Sequence, residues 1–264
     1  MKRTRILLDP ALFPICFRSF LQDADVYQSS CSEEAEVYFI DKDAGLFLKK
    51  ASAGKLKNEA LMTRYFDSLG LSTEVLLYLS EDTCDFLLTR RIPGEDCTFD
   101  LYRTEPAKLC DIMAEQLRML HEVMADDCPV KHRLDSYKAA VLSGSEHGRY
   151  EPDLFHGIWE FSSKEDAQHC ALLGLPFLKE NVLIHGDYCL PNIILDNWRF
   201  SGFIDLGNGG IADRHIDLLW GIWTLMFNLG TAKWSDRFMD AYGRSLIDTD
   251  LPRCVAAMEM IGEG

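Results

Sequence analysis

The stretch HGDYCLPNIILDNWRFSGFIDLG, residues 185–207, decides how the rest of this 264-residue chain is read. Ile193 to Leu195 is one apolar run and Phe200 to Ile204 another, with the turn formers Asp196 and Asn197 between them, so the pair predicts a hairpin. Val182 to His185 predicts the strand before it. Asp187, Asn192 and Asp205 therefore all fall at strand ends. A hard cation such as Mg²⁺ seeks oxygen ligands, takes one or two of them from protein carboxylates, and leaves the rest of its shell to phosphate and water. Asn192 and Asp205 can supply such a pair.

His185, Asp187 and Asn192 stand in the spacing H-x-D-x-x-x-x-N, that of a kinase catalytic loop, in which the aspartate takes the substrate hydroxyl proton and the asparagine holds metal. Asp205, in D-L-G, resembles the metal-binding aspartate of D-F-G. HGD or IDLG alone reads equally well as turn residues capping apolar strands; both together, in order and in strand context, favour the chemistry. HGDYCLPN, RFSGFIDLG and ADRHIDL resemble the aminoglycoside 3'-phosphotransferases, a branch of the protein-kinase-like superfamily, most specifically from Val182 to Leu218 and weakly over nearly the whole chain. The resemblance implies an α+β, protein-kinase-like two-lobed fold. Its N-terminal lobe, residues 1–92, would hold an antiparallel sheet with one helix and bind nucleotide; residues 93–264 would form a larger, mainly helical catalytic and substrate-binding lobe. It also implies ATP as donor, Asp187 as the catalytic aspartate, and Asn192 and Asp205 as Mg²⁺ ligands.

The first half of the chain carries a second constellation. EVYFI (36–40) and LFLKK (46–50) predict two strands around the turn DKDAG, a hairpin that ends in lysine. Met62, Tyr65, Phe66 and Leu69 recur at helical spacing in a segment from about Gly54 to Leu69, and Glu59 shares their apolar face. An inward carboxylate needs a partner, because an unpaired buried charge is costly. Strand alternation does not choose between Lys49 and Lys50, and two surface charges near a helix end is the simpler alternative. The family strand pattern L-x-L-K selects Lys49, and a Lys49–Glu59 pair would orient the ATP phosphates.

SSCSEEAEVY (29–38) stands where the family has its phosphate-covering loop, yet it has no glycine to let backbone amides approach phosphate, and Glu33, Glu34 and Glu36 would repel it. Ser32 is its one candidate for a phosphate contact; a solvated acidic turn is the alternative. FLLTRRIPGEDC (86–97) predicts a strand running into a turn broken by Pro93 and Gly94. By resemblance this is the hinge, and the backbone of Arg90, Arg91 and Ile92 would contact adenine.

Leu109, Ile112, Met113, Leu117 and Leu120 form an amphipathic stripe after Pro106, and Leu218 to Leu229 is apolar nearly all round, as a buried central helix is. That run falls short of the roughly 20 apolar residues a bilayer span needs. Asp9 and Pro10 end the apolar run of the N-terminus before the core of a secretory signal forms. Nine cysteines without a C-x-x-C pair suit free thiols in a reducing compartment, so a cytoplasmic location is expected. Cys189 and His185 flank Asp187, but the aspartate fills the base role, and they read as a packing thiol and a hydrogen-bonded structural histidine. Asp213 and Asp217 each suit a helix N-terminus, Asp217 at the position of a family aspartate read here as a scaffold for the catalytic region.

A net charge of −15 speaks against nucleic acid and suits a cationic substrate, though a negative surface also serves solubility alone. The resemblance names that substrate as an aminoglycoside, phosphorylated at its 3'-hydroxyl with resistance as the consequence. Glu151, Asp153 and Glu160 stand where the family's acidic substrate loop lies, and Glu259 resembles the glutamate near the family's C-terminus, so these four are expected to hold ammonium groups. Asn208 stands where the family often carries arginine, Phe227-Asn228 where it carries an acidic pair, and E-M-I-G-E-G where it ends in E-F-F. The expectation is an ATP- and Mg²⁺-dependent O-phosphotransferase of the kanamycin kinase type, monomer or dimer, with no nucleic-acid or membrane partner. The alternatives are the same fold acting on another hydroxylated molecule (a sugar, a choline-like alcohol or a macrolide) and a kinase-like nucleotide-binding protein without turnover, which the glycine-free loop raises.

Overall fold

In the computed structural model residues 3–29 and 35–262 are described, so Ser32 lies outside the described residues. The elements run β1 (Thr4–Ile6), α1 (Ile15–Leu21), β2 (Asp25–Gln28), β3 (Ala35–Asp41), β4 (Leu46–Ser52), α2 (Lys57–Ser68), β5 (Val75–Ser80), β6 (Cys84–Arg90) and β7 (Glu95–Asp96). They continue with α3 (Asp100–Arg103), α4 (Pro106–His121), α5 (Arg133–His147), α6 (Lys164–Gly174), β8 (Val182–Ile184), β9 (Ile193–Asp196), β10 (Arg199–Phe203), β11 (Gly210–Ala212), α7 (Arg214–Leu229), α8 (Lys233–Tyr242) and α9 (Leu251–Ile261). Two compact units result, Met1–Asp96 with Ile194–Gly207, and Cys97–Ile193 with Asn208–Gly264.

The first unit is built on an antiparallel sheet in the order β1-β2-β3-β4-β6-β5. Successive strand side chains alternate between faces, and here both faces are covered. Leu46 and Leu48 of β4 pack with Ile40, Phe86 and Leu88 beneath Phe17 and Leu21 of α1. Ala51 of the same strand and Leu87 of β6 pack with Leu56 and Ala60 at the start of α2. Burying side chains such as Phe17, Ile40 and Leu48 fully contributes about 1.5–3 kcal/mol each, and the two layers clamp β4 between helices.

The hairpin after the catalytic-loop sequence joins this unit, since β9 pairs with β7 (Leu195 with Glu95, Ile194 with Asp96). Its turn is Asn197-Trp198, one residue later than the sequence suggested, because Asp196 still belongs to the strand. Both turn residues are left-handed, φ 49° and 68°, the conformation that lets a two-residue turn follow strand twist.

In the second unit β8 pairs antiparallel with β11, and Val182, Leu183 and Ile184 are all buried. Ile184 joins Phe155, Ala171, Ile216, Leu219, Val255 and Met258 in one core that gathers α6, α7 and α9. Among the described residues no helix is long and apolar enough to cross a membrane.

Candidate active site

In the first unit the two-sided sheet settles the choice of lysine. Leu46 and Leu48 face α1, so Lys49 projects from the opposite face, toward α2. Its Nζ lies 2.6 Å from Glu59 Oε1 and also donates to Asp205, while Lys50 reaches out to Glu36 at 3.2 Å. Burial opposes the charge on Lys49, but Asp205 and Glu59 outweigh it and hold the ammonium above its ordinary range. Burial raises the Glu59 carboxyl, Lys49 pulls it down, and the negative Asp205 adds to the rise. Two carboxylates thus share one ammonium, an arrangement that a further cation at Asp205 would relieve.

Asp205 follows β10 in the left-handed region, φ 59°, a conformation uncommon for a residue with a side chain and concentrated at functional sites. Asn58 of α2 donates to Gly207 O at 2.5 Å, tying the helix that carries Glu59 to the loop that carries Asp205. That helix starts without a cap of its own; Asp85 from β6, wholly buried, accepts from Leu56 N at 2.9 Å and from Ser80 Oγ at 2.6 Å. At the end of β6, Arg90 N donates to Glu74 O, Arg90 O accepts from Thr73, and Arg91 N donates to Gly45 O. Of residues 90–92, Ile92 is the one whose N–H and C=O both lack a hydrogen bond among the described residues.

In the second unit β8 delivers the catalytic-loop sequence. Gly186 has φ 84°, and a Cβ there would sit 2.2 Å from Asn208 O, so the middle residue of HGD must be glycine. Asp217 is not the helix cap the sequence suggested. It lies one turn inside α7, fully buried, and accepts from His185 N at 2.8 Å and Gly186 N at 2.7 Å. Asp213 does cap α7, accepting from His215 N at 2.8 Å. Asp187 N donates to His185 Nδ1 at 3.3 Å, and Asn192 Nδ2 donates to Asp187 Oδ2 at 2.8 Å and to Asp187 O at 2.9 Å. Thr224 of α7 accepts from Leu190 N at 3.1 Å, closing the loop's other end. With the Asn192 amide nitrogen committed, its amide oxygen is the hard ligand it can offer a cation. Burial pushes the Cys189 thiol well above its ordinary range, which suits packing and not nucleophilic attack.

The acidic residues separate into two groups. Glu151, Asp153 and Glu160 are exposed on the irregular segment between α5 and α6, where Glu151 pairs with Arg149 at 2.5 Å. Glu151 N donates to Met260 O at 2.9 Å, which brings the start of this segment to α9, the helix that carries Glu259. Burial pushes the Glu259 carboxyl up to about 7, against Tyr137 and Arg133, with the Asp187 charge adding to the rise. The Tyr137 hydroxyl is buried and makes no hydrogen bond of ordinary geometry among the described residues. Where the family often carries an arginine, Asn208 receives one from elsewhere: Arg133 of α5 donates to its Oδ1 at 2.9 Å and its O at 3.0 Å. Phe227, 68% exposed, stacks on Trp223 at 5.0 Å, while Asn228 turns back to Thr224 O at 2.9 Å. Asp85, Arg133, Tyr137 and Thr224 were not singled out from sequence; each acts across the fold, and a lone carboxylate within CDFLLTR was the one available signal.

The sequence profile of the phosphotransferase enzyme family matches residues 31–257. A probable aminoglycoside 3'-phosphotransferase of Lactococcus lactis subsp. lactis (strain IL1403) is 44% identical over 262 residues, covering 99% of each chain. The chain belongs to the aminoglycoside 3'-phosphotransferase family. Among solved structures, the aminoglycoside phosphotransferase APH(3'')-Id of Streptomyces rimosus in complex with ADP and streptomycin superposes with a TM-score of 0.77 at 22% identity, over 98% of this chain and 100% of that one. The macrolide 2'-phosphotransferase MphH of Brachybacterium faecium superposes at 0.61 and 13% identity, over 95% and 89%. Likeness at this level speaks for the fold, which members with different acceptors share.

Proposed function

We propose that this protein transfers the γ-phosphate of ATP to the 3'-hydroxyl of an aminoglycoside, which disables the antibiotic and confers resistance. The observation that carries the reading is the loop of Asp187 and Asn192, held by Asp217 through two backbone amides. Asp187 orients the acceptor hydroxyl and takes its proton. Lys49, fixed by Glu59, orients the donor phosphates, with the Ile92 backbone on adenine. Mg²⁺, held by the Asn192 amide oxygen and the Asp205 carboxylate, would neutralise charge on the phosphates. Glu259 and Glu151 receive the ammonium groups of the acceptor, with Asp153 and Glu160 at the periphery. Catalysis then rests on positioning and charge stabilisation. The ATP supply and the eight free thiols among the described residues favour the cytoplasm.

A second reading keeps this chemistry and changes the acceptor; the exposed Phe227 on Trp223, in place of the family's acidic pair, favours it. Mass spectrometry of purified protein with ATP separates the two. Kanamycin should gain one phosphate at its 3'-hydroxyl, and tobramycin, which lacks that group, should bind without gaining one there. No added phosphate on kanamycin, neomycin or paromomycin, despite competent ATP binding, would transfer the assignment to the second reading.

A further inference from the structure

The buried side chains of α6 are Ala167, Cys170 and Ala171, with Gly174 completing a run of small residues at helical spacing on one face. That face takes α9 at close range: a Cβ on Gly174 would sit 2.4 Å from Cys254 Cβ and 3.0 Å from its Sγ. One turn earlier, Cys170 Sγ lies 3.6 Å from Cys254 Sγ, two free thiols 84 positions apart in the chain. A disulfide brings its sulfurs to about 2.05 Å, so the approach still to be made is of a size that side-chain rotation can supply.

The surroundings set this pair apart from other buried thiols. Cys110 Sγ donates to Trp234 O at 3.3 Å and Cys128 Sγ to Val130 O at 3.6 Å, the behaviour of packing thiols set against carbonyls. Cys170 Sγ instead accepts from Arg253 Nη1 at 3.5 Å, and that guanidinium is held over the Phe161 ring, 4.5 Å from its centroid. A cation beside a sulfur, a second thiol within reach and a way in for the oxidant are what an oxidisable cysteine requires. Arg253 is exposed and Cys254 half-buried, so the way in lies along the first turn of α9. Burial, with Cys170 alongside, pushes the Cys254 thiol up to about 12, which makes Cys254 the partner that keeps its proton.

We propose that Cys170 and Cys254 form an oxidation site for hydrogen peroxide, closing reversibly into a disulfide that ties α6 to α9. In the first step the Cys170 sulfur attacks a peroxide oxygen: an S–O bond forms, the O–O bond breaks, and the departing hydroxide leaves as water with the thiol proton. Arg253 faces the charge that passes through the sulfur in that step. In the second step the Cys254 sulfur attacks the sulfenic sulfur of Cys170: the S–S bond forms, the S–O bond breaks, and hydroxide leaves as water with the Cys254 proton. Two thiols give up two electrons, and one peroxide becomes two waters. The second step is intramolecular, which offsets the reluctance of Cys254 to ionise. In a reducing compartment the link is transient, reopened by thiol exchange. The inference holds whatever acceptor the enzyme phosphorylates.

The test exposes the full, reduced chain to a few equivalents of hydrogen peroxide and then alkylates the remaining thiols. Peptide mass spectrometry should show the peptides of Cys170 and Cys254 joined, and dithiothreitol should part them. C254S should stop at a sulfenic acid on Cys170, captured as a dimedone adduct, and C170S should give no adduct at Cys254 under the same exposure. R253Q should slow linkage about tenfold, the scale of one hydrogen bond to a charged group. The oxidised wild type should unfold in urea at a higher midpoint than the reduced protein, since a link across 84 positions restricts the unfolded chain, and C254S should show no such rise. Linkage to another cysteine, sulfinic acid at Cys170 without linkage, an adduct at Cys254, an unchanged rate in R253Q, or an oxidised midpoint at or below the reduced one would each overturn the proposal. If either serine variant does not fold, the peptide map of the wild type and the R253Q rate decide.

Discussion

Asp187 and Glu259 are carboxylates of one unit with opposite demands on them. Asp187 is oriented by the amide of Asn192 and by its own backbone N–H on His185, so replacing its carboxylate while keeping its shape isolates the chemistry. In D187N, phosphate transfer should fall by about 10²-fold or more, the scale of a general base, while nucleotide affinity measured by calorimetry is retained. Near-normal turnover in that variant would remove Asp187 from the mechanism. Glu259 is held toward its neutral form, its carboxyl pushed up to about 7 by burial. A folded-state value above the unfolded one means that the stabilising contribution is complete below about pH 4.5 and is lost as pH rises through about 7. The variant E259Q should therefore gain on the wild type as pH rises across that window, by about 1–3 kcal/mol in denaturant unfolding at pH 8. An equal or smaller stability of E259Q at pH 8 would show that Arg133 and Tyr137 satisfy the carboxylate fully. A bound ammonium would restore its charge, so acceptor binding at pH 7 should release protons.

The element that places Glu59 depends on a residue of another element. Asp85 of β6 receives Leu56 N, Ser80 Oγ and Tyr78 OH, and no side chain of α2 itself caps that helix. D85A leaves these groups without an acceptor in a buried place, and should cost about 2 kcal/mol or more in unfolding free energy while also loosening the Lys49–Glu59 pair. A midpoint and m-value equal to those of the wild type would mean that water replaces the carboxylate. This dependence explains which parts of the molecule could be read from the chain. β3, β4, β9, β10 and α2 were legible because alternation, turn residues and helical spacing are local. The places of Asp187, Asn192 and Asp205 beside the ends of β8, β9 and β10 were legible because their motif spacing is local too. The choice between Lys49 and Lys50 was not, since it depends on α1 covering one face of β4 and α2 the other. Nor were the amides that Asp217 accepts, at 185 and 186, which lie more than 30 residues earlier; only the resemblance marked it as a scaffold for the catalytic region, and its position alone suggested a helix cap. The same holds for Arg133 at Asn208, which supplies from α5 a guanidinium absent from the position itself.

At the scale of the whole molecule, a net charge of −15 should draw a polycationic acceptor from a distance that salt shortens to about 10 Å at 0.1 M. The KM for the aminoglycoside should therefore rise between about 0.05 and 0.5 M salt more steeply than that for ATP, measured at constant Mg²⁺. Parallel responses would assign acceptor binding to uncharged contacts, as the Phe227 surface does in the second reading. The first unit is also discontinuous, since its strand β7 pairs with β9, and the two are separated along the chain by residues 97–192. On a ribosome adding about 5–20 residues per second, β7 must wait roughly 5–20 s for the strand that covers it. Through that interval β7 has no strand to pair with, because its sheet is made only of itself and a hairpin not yet made, which makes the synthesis of β9 and β10 the moment when a chaperone or an arrest sequence would most change the yield of native protein.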